Sequence, residues 1–251
     1  LTFKDIIISG NDEGPNNNSQ AHIMNVRYNS SPVFENVVFK NNGSINNYAA
    51  HSVLVYENAE ATFRNCLFED NFGWQDLVKV QSSSSAYFEN TLFMENYGRD
   101  WGLLFMDGSN SRIALINSTV YKNSATEEYL FGISGSNNEL HLVNSVVNST
   151  GSASKQIRNN SSTSNSVIAR NSVLPFGTSG ALYSSKINWD VDSTNITFDP
   201  QLNSDGTLKS NSPAIGLGTK QNMVIGNISY SPPILDYDGT LRPAPVGSSP
   251  D

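Results

Sequence analysis

A phrase centred on Asn recurs along this chain and limits what it can fold into more than any other feature. It reads Phe34-Glu-Asn36-Val-Val-Phe39, then Phe63-Arg-Asn65-Cys-Leu-Phe68, then Phe88-Glu-Asn90-Thr-Leu-Phe93. A looser form, Phe3-Lys-Asp5-Ile-Ile-Ile8, precedes these. Leu115-Ile-Asn117-Ser-Thr-Val120, Leu142-Val-Asn144-Ser-Val-Val147 and Ala169-Arg-Asn171-Ser-Val-Leu174 follow. The central positions are 5, 36, 65, 90, 117, 144 and 171, so the steps are 31, 29, 25, 27, 27 and 27 residues. Seven copies so evenly spaced specify a repeat architecture, in which each unit buries its apolar face by stacking on its neighbours.

Each copy reads as three short strands. In the copy from 53 to 71, Val53–Glu57 alternates like a strand, Ala61–Arg64 forms a second with Phe63 inward, and Cys66–Glu69 forms a third. Asn, Gly and Ser separate them, as strand ends require. The pattern is too β-branched, and too poor in 3.6-residue periodicity, for helical repeats. Stacked coils lie ~4.8 Å apart, so equivalent residues form rows. Phe3, Phe34, Phe63, Phe88, Leu115 and Leu142 make one interior row, and Ile8, Phe39, Phe68, Phe93, Val120, Val147 and Leu174 another.

Between them lies a row of Asn36, Asn65, Asn90, Asn117, Asn144 and Asn171. It falls at a bend, where Asn tolerates the left-handed conformation, and stacked amides there are expected to bond from coil to coil as a structural ladder. A second row, Asn11, Asn42, Asn71, Asn96 and Asn123, stands six residues on. Ile7, Val38, Leu67, Leu92, Val146 and Val173 face outward by alternation, either as strand-forming residues or as a docking stripe.

Composition agrees. Asn and Ser supply 69 of the 251 residues, yet 37% of the chain is hydrophobic and falls at repeat-locked positions, so this richness signals tight turns rather than disorder. The net charge of -8 and the lack of a basic stripe speak against a nucleic-acid partner. The single cysteine, Cys66, excludes an internal disulfide and takes the small interior slot after the repeat Asn. No segment approaches the ~18 to 20 apolar residues of a membrane span. The chain opens at Leu1 directly on a repeat with no signal peptide in view, which reads as part of a longer chain or assembly.

The repeat, Phe-x-Asn-x-x-Phe-x-x-Asn with a small residue after the first Asn, resembles the right-handed parallel β-helix proteins of the pectate-lyase-like class. The tail adds Phe198-Asp-Pro-Gln-Leu202, Leu208-Lys-Ser-Asn-Ser-Pro-Ala-Ile215-Gly-Leu-Gly218 and Asp236-Tyr-Asp-Gly239-Thr-Leu-Arg242-Pro. It is similar to the C-terminal region of secreted bacterial β-helix proteins of the choice-of-anchor Q type. The resemblance implies an all-β, right-handed parallel β-helix of about seven coils over residues 1–188. It also implies a C-terminal segment, 189–251, packed on the solenoid end, and a place outside the cell or on its surface.

The loops entering the first strand of each coil hold the residues with chemistry to offer. They supply Tyr48 and His51; Trp74, Asp76 and Lys79; Arg99, Asp100, Trp101 and Asp107; and Glu127, Glu128 and Tyr129. In register these form a lateral strip of aromatics among charges. Trp74, Asp76, Arg99, Asp100, Trp101 and Tyr129 suit a sugar, whose C–H faces stack and whose hydroxyls hydrogen-bond. Three chemistries compete with simple contact. A lyase acting on a uronate needs a base and a cation, and would cast Lys79 with Arg99, or His51 with Tyr56, in those roles. A hydrolase would use Asp76 and Asp100 on neighbouring coils. The same acids could hold calcium; no other metal or cofactor is indicated. The sequence points first to a non-catalytic β-helical domain of a larger exported surface protein, serving adhesion, carbohydrate contact or display. A polysaccharide lyase or glycoside hydrolase comes second, and a subunit of an extracellular filament or surface complex third.

Overall fold

The computed structural model describes residues 1–11, 22–43, 51–125, 129–148, 156–175, 177, 181–182 and 186–242. It is an all-β parallel β-solenoid, as the repeat requires, with no α-helix among the described residues. Three parallel sheets run its length. The first has eight strands, from Thr2–Lys4 through Val33–Glu35, Glu60–Arg64, Ser85–Glu89, Arg112–Ile116, Glu139–Val143 and Asn165–Arg170 to Ile187–Val191. The second has six, from Ile7–Ser9 to Val146–Asn148, and the third seven, from His22–Val26 to Ala181–Leu182. The boundary expected after residue 188 falls inside the strand Ile187–Val191, which still pairs with Asn165–Arg170.

The interior rows form as read. Phe3, Phe34, Phe63 and Phe88 stack with ring centroids 4.9–5.1 Å apart, and Phe39, Phe68 and Phe93 at 4.4–4.8 Å. The two columns meet edge to face, with Phe63 and Phe68 at 5.7 Å, an arrangement favoured by the ring quadrupole. Cys66 is fully buried between them, and burial pushes its thiol up to about 12.

The two Asn rows do different work. Asn36, Asn65, Asn90, Asn117, Asn144 and Asn171 all have positive φ, from 48° to 55°, so they make the bend. Their amides pair only in part: Asn36 donates to Asp5 at 2.8 Å, Asn90 to Asn65 at 3.1 Å and Asn144 to Asn117 at 3.3 Å. The continuous amide ladder is the second row. Asn11 donates to Asn42, Asn42 to Asn71, Asn71 to Asn96 and Asn96 to Asn123, each at 2.9 Å. Each acceptor oxygen also takes the donor residue's backbone N–H, at 3.0–3.3 Å. The spare amide hydrogen of Asn42, Asn71, Asn96 and Asn123 reaches a backbone carbonyl of the preceding coil at 2.8 Å. These four residues are buried, and this closed network is what allows so much polar surface inside. Ser118, Ser145 and Ser172 form a shorter hydroxyl ladder just after the bend.

Past residue 192 the chain turns back along the flank of the solenoid. Met223–Ile225 and Ile228–Tyr230 pair as an antiparallel hairpin. Ile225 and Tyr230 pack on Ala114, Ile116 and Val143, on the outer face of the first sheet. Next to them the bend row holds the tail. Asn144 donates to the Thr219 carbonyl at 2.8 Å and accepts its N–H at 3.0 Å, Asn171 donates to Leu217, and Asn90 donates to Leu235. The Arg242 guanidinium donates to Asn90 at 2.6 Å.

Candidate functional site

Aromatic and charged side chains of the loops at 74–75 and 99–101 lie in contact with one another. Phe72–Gly73, Tyr97–Gly98 and Ser124–Ala125 form a short three-stranded ladder beside the third sheet. Gly73 and Gly98 turn the chain so tightly that a Cβ on either would stand 2.0 Å from the carbonyl oxygen of Asp76 or Gly102. This turn thrusts 74–75 and 99–101 out as loops. The amides of Asp100 and Trp101 both donate to the Gln75 carbonyl at 2.9 Å, which locks successive loops together.

Within the cluster, side chains engage one another. The Arg99 guanidinium lies 3.5 Å over the Trp74 ring and 3.7 Å from the Asp100 carboxylate. Trp101 stacks on Phe105 at 5.6 Å and receives Arg158 at 5.2 Å; Arg158 also lies 5.3 Å from the Tyr129 ring. Lys79 pairs with Asp107 at 3.0 Å, above the Phe105 ring. Exposure sorts the nominated residues. Trp74 and Trp101 are half-buried and Asp100 is exposed, but Tyr129 is 4% exposed and Asp76 fully buried. Tyr129 therefore supports the strip from beneath. Asp76 opens a buried strand in register with His51 and Gly102 and presents no carboxylate to solvent beside Asp100. Tyr48, Glu127, Glu128 and the His51 side chain lie outside the described residues.

Lys79 stands in register with Phe105 rather than beside Arg99, and Asp76 is buried while Asp100 is exposed, so no open acid–base pair is seen among the described residues. Lys79 faces an anion of its own chain, and the Arg99 cation is spread over an indole. Among the described residues no group of three or more His, Cys, Asp and Glu side chains converges as a metal site.

Two features of the flank were missed. One is a buried polar cluster under the tail hairpin: His141 Nδ1 and the Tyr230 hydroxyl share a 2.5 Å hydrogen bond, and Glu139 lies 3.2 Å from His141 Nε2 and 2.5 Å from Arg112. Burial holds the His141 imidazole neutral, lowering it to about 4, and raises the Tyr230 phenol. The other is a groove between the tail and the bend row. Its sequence signal was a duplication, Asp205-Gly-Thr-Leu208 and Asp238-Gly-Thr-Leu241.

The fold and this surface define a parallel β-solenoid with a C-terminal tail strapped along one flank and an aromatic–cation strip beside the third sheet. No family model, curated protein or solved structure matches the chain. No helix among the described residues is long and apolar enough to cross a membrane.

Proposed function

We propose that this chain is a non-catalytic β-helical domain of a larger exported protein, of the secreted pectate-lyase-like kind with a choice-of-anchor type C-terminal region, and that it displays or contacts partners at the cell surface. The observation that carries the reading is the engagement of the nominated catalytic side chains within the chain: Lys79 with Asp107, Arg99 with Trp74, and Asp76 inside a buried strand. A general base or electrostatic catalyst acts on substrate, and here Lys79 and Arg99 are directed at groups of their own chain. Glycan contact in this reading uses Arg99, Asp100 and the exposed rims of Trp74 and Trp101. A panel of neutral and anionic polysaccharides, followed for unsaturated products and for new reducing ends, tests it. The reading expects binding without turnover. Turnover that Lys79→Ala, Arg99→Ala or Asp100→Asn abolishes would make the protein a lyase or hydrolase. External protease or antibody labelling of intact producing cells checks the surface location.

A further inference from the structure

We propose that the groove between the tail and the bend row is a binding site for a short neutral saccharide, separate from the lateral strip. It encloses about 450 Å³, within the size range of small-ligand sites. Two tail turns of the same build flank it. In one, Asn203 N–H donates to Thr207 and Gly206 N–H to Asn203; in the other, Asp236 N–H donates to Thr240 and Gly239 N–H to Asp236. The turns carry Asp205 and Asp238 to the groove. Asp238 is exposed, with no hydrogen-bond or ion-pair partner among the described residues.

The floor supplies the pointer to a ligand. Asn90 and Asn144 are occupied in holding the tail. Asn117, between them in the same row, lines the groove and is 7% exposed. Its oxygen accepts from Asn144, but its buried amide nitrogen finds no acceptor. A buried donor without a partner is costly, and a ligand oxygen would satisfy it. The walls set the chemistry. Leu92, Val146 and the Tyr237 ring offer apolar surface to sugar C–H faces, and the aspartates accept from hydroxyls. Three carboxylates, Asp205, Asp236 and Asp238, stand against one guanidinium, Arg242. That balance repels uronate and sulfated sugars and favours neutral ones.

The test is saturation-transfer NMR and calorimetry on the full chain with neutral mono- and disaccharides, and with glucuronate as the charged control. At least one neutral sugar is expected to bind. Asn117→Asp keeps the side-chain shape and its tolerance of the left-handed bend but replaces the donor. It should weaken binding roughly tenfold or more, as should Asp238→Asn, an exposed change that leaves folding intact. Trp101→Ala should leave this binding in place. No saturable neutral sugar, tighter binding of glucuronate, or affinity unchanged in both groove variants but lost in Trp101→Ala would overturn the proposal. The first outcome leaves a water-filled groove, and the last moves recognition to the strip.

Discussion

Asn144 and Thr219, 75 residues apart, clasp each other by two hydrogen bonds, the side-chain amide donating to the Thr219 carbonyl and its oxygen accepting the Thr219 N–H. The pair resembles one rung of a β-ladder, with an Asn side chain standing in for backbone. It shows how a tail that lies outside the coil repeat is fastened to a repetitive flank. Asn144→Ala is expected to free the chain around Thr219, leaving two backbone groups to water and costing about 1–3 kcal/mol. Limited proteolysis should then cut between 215 and 222 while the solenoid core stays intact. Unchanged protease resistance would show that the hairpin packing holds the tail alone.

The His141 cluster makes a pH prediction. The unfolded imidazole titrates near 6.5, whereas burial lowers the folded group to about 4. A depressed folded value gives stability that is complete above pH 6.5 and lost as pH falls towards 4. Urea unfolding of the wild type and His141→Gln should therefore differ most at pH 7.5, and the gap should narrow as pH approaches 4. A gap of constant size would mean that His141 contributes packing only.

Gly98→Ala tests how the strip is positioned. Its Cβ would stand 2.0 Å from the Gly102 carbonyl oxygen, a contact that backbone movement alone can relieve. We expect a loss of about 3 kcal/mol or more, together with greater quenching of Trp fluorescence by iodide as Trp74 and Trp101 lose their supports. A stable variant with unchanged quenching would show that the loops form without this turn.

Much of this was legible in the sequence, and the reason is register. Parallel rungs put equivalent residues in contact, so the Phe columns and the neighbourhood of Trp74, Arg99 and Trp101 followed from spacing alone. Spacing could not tell the two Asn rows apart, because both repeat with the same period; only φ and the direction of each amide separate bend from ladder. Nor could alternation place Asp76, which sits at a strand start where inward and outward are not yet fixed. The course of the tail was hidden because its contacts span up to 152 residues, as between Arg242 and Asn90, with no pattern to carry them. The outward apolar row gave half of that answer, since Leu92 and Val146 line the groove beneath the tail.

The division between the two rows is the central claim, and one paired measurement tests it. Glycine replaces Asn65, in the bend row, or Asn96, in the inner row, and each variant is unfolded in urea. Asn65 has a φ of 50°, a conformation glycine adopts freely, so Asn65→Gly should change stability by less than about 1 kcal/mol. Asn96→Gly removes the acceptor of Asn71 and the donor to Phe68 and Asn123. It strands several buried groups and should cost about 3 kcal/mol or more. Equal losses in the two variants, or a larger loss at Asn65, would contradict the account.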